Sequence, residues 1–475
     1  MLLNTSISQL EQSLQQKKIS SVELVTEALS QATAQNKTLS DFITLREKEA
    51  LLTQASSLDA MKKPKSRLHG IPFSLKDTYA TKDVLTTAGS NVLQSFIPPY
   101  NATVYQKLLD AGAILIGKNN QDAFGHGSSN ENTDFSPAKN PWNTQHIPGG
   151  SSGGSAISIA TRAVSFAIGE DTGGSIRNPA SMCGISGLKV TYGRVSRYGA
   201  VAYASSLDSV GPMAKSAEDL ALILEVIAGA DPLDATTATR PSEPYATDLN
   251  TDMKKVVIGN PKEFFAEGID PEVKQIVLAA AEEYRQAGAT LEEVSIPFLE
   301  HSIAIYYSLA MSEASSNLAR YDGVRYGASR DAFTQENKRR IMGGTFALSS
   351  GYADKFYKTA QKARTVLIEE YAKVFQKCDV LLAPVTPTPA AQLGQLLNDP
   401  LTILLEDLYT VTINTVGVPS LAIPAGFTKN KLPVGMQLIG KKYAERQLLQ
   451  IGHAYQQRTD WHTQQPPTIG TDNDR

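Results

Sequence analysis

Eleven of the chain's 34 glycines fall between Gly149 and Gly199, and that crowding limits what this stretch can become. Glycine loses more backbone freedom on folding than any other residue, so a dense run makes poor helix or strand and good loop. Two segments hold most of it. Pro148-Gly149-Gly150-Ser151-Ser152-Gly153-Gly154-Ser155 precedes a small apolar stretch at 156–160. Asp171-Thr172-Gly173-Gly174-Ser175-Ile176-Arg177-Asn178-Pro179-Ala180 follows the apolar run at 164–168. Such loops expose backbone N–H groups with no side chain over them, so they can approach a ligand closely or hold an anion.

The surrounding pattern is α/β. The first 60 residues read as amphipathic helix, with Ser20 and Glu23 spaced as a capping box and Leu24, Val25, Ala28 and Leu29 on one face. A helix is expected at 104–111, closed by Gly112, with a short buried strand at 113–116. The arrangement recurs around a strand at 256–258: Asp270-Pro271 forms an N-cap and first-turn proline, the helix runs to Ala287 and Gly288, and a strand follows at 290–296. Residues 230–252 are polar and turn-rich and read as a surface connection. Residues 300–376 read as mostly helical, 379–390 as a buried strand ending in a proline-rich turn, and the tail from Gln464 as polar. Strands alternating with helices predict a largely parallel or mixed sheet covered on both faces.

Composition narrows the function classes. Lys+Arg number 45 against Asp+Glu 48, a net charge of −3, so no global basic field invites nucleic acid. Two cysteines, Cys183 and Cys378, cannot build a disulfide framework or a four-cysteine zinc site. The start MLLNTSISQLEQ lacks a basic, apolar leader, and no apolar run approaches the roughly 20 residues of a membrane span. The expected location is the cytoplasm.

The glycine loops carry the chemistry. A phosphate loop is disfavoured because no Gly-Lys-Ser/Thr closes the first one. Gly149-Gly150-Ser151-Ser152-Gly153 formally matches the G-x-S-x-G nucleophile elbow, but that arrangement needs a downstream histidine, and His301, His453 and His462 sit in no fitting signature. In the second loop, the N–H groups of Thr172, Gly173, Gly174 and Ser175 can converge as an oxyanion hole beside a serine nucleophile, with Asp171 and Arg177 bracing the turn. A serine needs a base. The nearby histidines are His126 and His146, but a lysine can serve if burial and hydrogen bonding leave it neutral. Lys76, in Gly70-Ile71-Pro72-Phe73-Ser74-Leu75-Lys76-Asp77-Thr78, follows a short apolar strand, although alone it would read as a solvated or salt-bridged lysine.

Lys76, the PGGSSGGS run and DTGGSIRNPA together resemble the amidase signature family in order and separation: 75 residues from Lys76 to Ser151 and 24 from Ser151 to Ser175. The likeness spans nearly the whole chain and is densest over 66–215 and 305–427. It implies one domain over 1–475 with the amidase signature fold, a central mixed β-sheet covered by helices on both faces. Its parts would be an N-terminal helical segment to about 60, catalytic motifs at 66–215, a helical pocket region at about 300–376 and the tail. The resemblance further implies a Ser-cisSer-Lys triad of Ser175 as nucleophile, Ser151 as relay and Lys76 as base.

Within the family, the strings from Tyr306 to Gly327 and from Lys338 to Tyr352 are similar to the glutaminase subunits of tRNA-dependent amidotransferases. That branch implies L-glutamine as substrate, with Arg340 on its carboxylate, Asp407 on its ammonium and Tyr306 lining the pocket. It also implies subunits B and C as partners in a heterotrimer, misacylated tRNA bound mainly by the partner, and ATP and Mg2+ used by the partner rather than by this chain. A stand-alone carboxamide hydrolase would keep the triad without needing Arg340 and Asp407; a non-catalytic scaffold would need neither. The chain departs from the family pattern at Thr78, in the 122–127 loop at Ala123, Gly125 and His126, at Val190 and in a 327–338 connection about a dozen residues shorter.

Overall fold

The computed structural model describes residues 1–396, 404 and 406–467. Its centre is one eleven-stranded mixed sheet in the order β1-β3-β2-β4-β6-β5-β10-β11-β9-β7-β8. The strands are β1 (Phe42–Leu45), β2 (Pro72–Lys76), β3 (Ile114–Asn119), β4 (Phe166–Asp171), β5 (Ser186–Lys189), β6 (Ser209–Ala214), β7 (Val257–Pro261), β8 (Thr290–Val294), β9 (Val380–Pro384), β10 (Ser420–Phe427) and β11 (Pro433–Gly440). β2 runs parallel to both β3 and β4, and β7 parallel to both β8 and β9. The remaining pairs are antiparallel.

Both faces are covered, as a near-continuous apolar strand requires. Gly187 and Gly435 turn towards Ile176, Ala180 and Ser181 of the segment around helix Arg177–Cys183, whereas Leu421 meets Gly452 of helix Glu445–Gln456 on the opposite face. Tyr284 of helix Pro271–Gln286 packs at a tilt against Tyr455 on that second face, their ring centroids 5.3 Å apart.

The local signals in the sequence behave as expected. Ser20 and Glu23 close a reciprocal capping box, and Asp270 Oδ1 accepts from the N–H groups of Glu272 and Val273 ahead of Pro271. The 300–376 region is three helices, Ser302–Leu318, Gln335–Leu348 and Tyr357–Val374. One expectation needs correction. The first 60 residues are not all helical, because β1 pairs antiparallel with β3 at the sheet edge. A four-residue apolar run has too short a period to be told from helix, and the open edge of β3 decides its state. Residues 464–467 are without regular structure, and the rest of the predicted tail lies outside the described residues. Among the described residues no helix is long and apolar enough to cross a membrane.

Three strand or helix ends converge on the glycine loops. β2 terminates at Lys76, β4 terminates at Asp171 and feeds the 172–176 turn, and the 148–152 loop opens the helix Gly153–Ala160. The helices Ser302–Leu318, Gln335–Leu348 and Leu408–Val416 pack over this point and bring polar side chains to it.

Candidate active site

Lys76 is fully buried, and its Nζ lies 2.7 Å from Ser151 Oγ. The peptide bond between Gly150 and Ser151 is cis, the conformation the resemblance implied. Ser152 N–H donates to the Ser175 carbonyl at 3.1 Å, tying the two glycine loops together one residue beyond Ser151 and at Ser175 itself. Ser175 is the least buried of the three triad positions, 8% exposed where Lys76 and Ser151 are closed off entirely, as a group that must meet substrate requires. None of the six histidines hydrogen-bonds to Lys76, Ser151 or Ser175 among the described residues. His126 is buried against Asn337, 2.9 Å from its Nδ1, with its ring 4.4 Å from Tyr203, and burial and the Arg340 charge hold it well below the usual imidazole range.

The nucleophile turn is braced from inside. Asp171 Oδ1 accepts from Gly174 N–H at 2.8 Å and Oδ2 from Ile176 N–H at 3.1 Å. Arg177 donates to both carboxylate oxygens at 3.1 Å, and Asn414 Nδ2 reaches Oδ1 and the Asp171 carbonyl at 2.9 Å. Burial opposes this charge, but the adjacent Arg177 guanidinium overrides it and holds the Asp171 carboxyl far below the usual range. Asp171 and Arg177 are thus an interior clamp, not solvated surface charges. The clamp also corrects one expectation. Gly174 N–H is committed to Asp171, and of the four N–H groups expected to form the hole only those of Thr172, Gly173 and Ser175 have no protein acceptor among the described residues. Gly174 has φ +130°, and a methyl there would meet Thr410 Oγ1 at 2.4 Å, so both the turn and the approach of Thr410 demand glycine.

The pocket residues gather beside this turn. A methyl on Gly173 would lie 2.4 Å from the Tyr306 hydroxyl, which places Tyr306 against the expected hole. Arg340 is buried; it donates to Glu336 at 2.8 Å and to the Tyr203 hydroxyl, with its guanidinium 5.5 Å from the Tyr203 and Tyr307 ring centroids. Tyr307 in turn donates its hydroxyl to Asp407 Oδ2 at 2.6 Å. Arg340 and Asp407 make no ion pair with each other; Tyr307 links them. A cation and an anion held apart by an aromatic can take the two ends of a free amino acid. Burial pushes the Asp407 carboxyl up to about 6, against the Tyr307 hydrogen bond and the Arg340 charge. Leu405, close to it in sequence, lies outside the described residues.

Sequence reasoning passed over three members of this site. Glu170 contacts Lys76 at 3.1 Å, Asp208 meets Thr172 at 2.8 Å, and Tyr203 supports Arg340. Glu170 and Asp208 stand in strands or turns with no motif of their own; the β2–β4 pairing brings Glu170 to the lysine, and the β4–β6 pairing sets Asp208 beside Thr172. Tyr203 follows no spacing that would separate it from an ordinary core aromatic.

A buried lysine at hydrogen-bond distance from a serine, a second serine on a clamped glycine turn and free N–H groups beside it define a serine hydrolase site with a lysine base. The sequence profile of the Amidase family matches residues 23–449, and the chain belongs to that family. It is 48% identical to the A subunit of glutamyl-tRNA(Gln) amidotransferase from Coxiella burnetii (strain Dugway 5J108-111), over 97% of this chain and 99% of that one. The counterpart of the same name from Nitrosomonas europaea is 47% identical over 98% and 99%. Among solved structures, the A subunit of glutamyl-tRNA(Gln) amidotransferase from Thermotoga maritima superposes with a TM-score of 0.84 at 35% identity, covering 98% of each chain. Native peptide amidase from Stenotrophomonas maltophilia superposes with 0.81 at 28% identity over 98% and 99%.

Proposed function

We propose that this chain is the glutaminase subunit of a tRNA-dependent amidotransferase, releasing ammonia from L-glutamine for conversion of a misacylated Glu-tRNA(Gln) or Asp-tRNA(Asn). The observation that carries this reading is the pairing of a buried Lys76–Ser151 contact with an Arg340/Asp407 pocket that fits a zwitterionic amino acid. Near full-length identity to subunits of that enzyme supports it.

In this reading Ser175 Oγ attacks the carboxamide carbon while Lys76, neutral, takes a proton through Ser151. The tetrahedral oxyanion is stabilised by the N–H groups of Thr172, Gly173 and Ser175. Ser151 returns the proton to the departing ammonia, and water then hydrolyses the Ser175 acyl-enzyme by the reverse proton path. Arg340 holds the substrate carboxylate and Asp407 the ammonium, while Tyr306 closes the side of the pocket against Gly173. The partners in this reading are subunits B and C, which carry misacylated tRNA, ATP and Mg2+; the chain works in the cytoplasm.

The test is ammonia release from glutamine by the chain alone and with subunits B and C plus misacylated tRNA. Activity should depend strongly on the partners, and Ser175→Ala should cost at least roughly 10³-fold in rate. Normal turnover by that variant would refute the mechanism. Partner-independent turnover of simple carboxamides with no use of glutamine would instead assign the chain as a stand-alone amidase.

A further inference from the structure

The lysine at the centre of the site has an ionic partner that the triad does not require. Lys76 Nζ meets three oxygens: Ser151 Oγ at 2.7 Å, the Glu170 carbonyl at 3.2 Å and Glu170 Oε2 at 3.1 Å. An ammonium has three N–H donors and no acceptor, and here all three find a partner. A neutral amine has two donors and one lone pair, and the same positions satisfy it: both N–H groups donate to Glu170 while the lone pair accepts from the Ser151 hydroxyl. The proton therefore moves between Ser151 Oγ and Lys76 Nζ with no rearrangement of heavy atoms. The Lys76 side chain is wholly buried and that of Glu170 is 4% exposed, so solvent does little to screen the pair.

The contacts behind Glu170 run through Thr172 to a second carboxyl. Thr172 Oγ1 lies 2.7 Å from Glu170 Oε1 and 2.8 Å from Asp208 Oδ1. One hydroxyl has one proton and cannot donate to two carboxylates. The arrangement is satisfied when Asp208 is the protonated member, donating to Thr172, which donates to Glu170. Burial and the adjacent Glu170 both push the Asp208 carboxyl well up, in agreement with that order. Asp208, Thr172 and Lys76 then all direct a proton at Glu170. The other titratable groups facing the pair do not replace it. Asp122 is occupied by the N–H groups of Asn130 and Asn132, Tyr79 donates to the Gly169 carbonyl, and Asp77 pairs with Lys118 at 3.2 Å. Asp122 itself is pushed up to about 7 by burial, against those N–H bonds and the Lys76 charge.

We propose that Glu170 is a positioning residue for the reaction, anchoring the Lys76 amine against Ser151 and placing a carboxylate beside the proton that the amine takes from the serines. The proposal rests on Lys76 being the base. It goes beyond the triad by making a carboxylate, with Thr172 and Asp208 behind it, the group that tunes the base. A carboxylate at this distance stabilises a proton on the amine, so an uncharged side chain in its place should move the acidic limb of the reaction's pH profile downward.

The experiment measures the rate at which a fluorophosphonate acylates Ser175 in the full-length chain from pH 5.5 to 10, for wild type, Glu170→Gln and Lys76→Ala. Lys76→Ala should lose roughly 10²-fold or more at every pH. Glu170→Gln should stay reactive while the acidic limb of its profile moves down by about one unit or more, leaving it about tenfold faster than wild type below the wild-type limb. An unshifted limb in Glu170→Gln overturns the proposal while leaving Lys76 as base; full reactivity of Lys76→Ala overturns the reading of the triad itself. If Glu170→Gln does not fold, Glu170→Met removes the charge with a side chain of similar reach and is read the same way. Failure of both to fold would make Glu170 a structural residue and overturn the proposal as well.

Discussion

The Asp171–Arg177 clamp offers a quantitative test of how the nucleophile turn is held. Both side chains are fully buried, and the Asp171 carboxylate takes bonds from two turn N–H groups, Arg177 and Asn414. Arg177 has three further acceptors beyond Asp171: Gln437 at 3.0 Å, the Thr410 carbonyl at 3.1 Å and Asn414 Oδ1 at 2.6 Å. Removing one member of such a pair strands the other charge in the interior, which costs about 3–5 kcal/mol. Unfolding entropy near 2.1 cal/mol/K per residue, summed over 475 residues, is about 1 kcal/mol/K, so Asp171→Asn or Arg177→Met should lower Tm by roughly 3–5 °C. The double variant should lose little more than either single one, because each single change already forfeits the pair. Calorimetry of the four proteins measures this directly, and additive losses in the double variant would refute the clamp. The pH dependence carries a sign as well. A carboxyl depressed in the folded state contributes stability that is present above its unfolded value near 3.9 and lost as pH falls towards the folded one. The difference between wild type and Asp171→Asn should therefore be flat from pH 5 to 8 and shrink only below about pH 4.

The pocket yields two further expectations. Arg340→Ala should lower kcat/KM for glutamine by about 10- to 100-fold, the worth of a charge-assisted hydrogen bond of about 1.5–3 kcal/mol, and spare a simple amide lacking the α-carboxylate; equal loss on both substrates would make Arg340 structural. Asp407 binds an ammonium only as the carboxylate, and its carboxyl sits at about 6, so the ratio of glutamine to simple-amide turnover should fall as pH drops from 8 to 5. Asp407→Asn should flatten that ratio, and a persistent pH dependence in the variant would assign it to another group.

Much of this site was legible without coordinates because its parts are local. A glycine-serine run and an Asp-Thr-Gly-Gly-Ser turn each announce themselves within ten residues, while the lysine at the end of an apolar strand stood out only through the resemblance, which supplied the roles. The helix signals were local too, as the caps at Ser20 and Asp270 demonstrate. What failed was non-local. β1 became a strand only because β3 presents an open edge. Gly174 is the local exception: the Asp171 carboxylate three residues back takes its N–H, an orientation the motif alone does not fix.

The sequence by itself therefore determined the glycine loops and the family resemblance, from which the expected serine nucleophile and lysine base follow. Tertiary structure alone decided the electrostatics. Lys76 and Glu170 are 94 residues apart, Asp171 and Asn414 are 243 apart, and Tyr307 reaches Asp407 across 100. A charge acts through distance and burial rather than through sequence neighbours, and only strand pairing and helix packing set those. That is why a triad can be recognised in a sequence, while the group that governs its base becomes visible only in the fold.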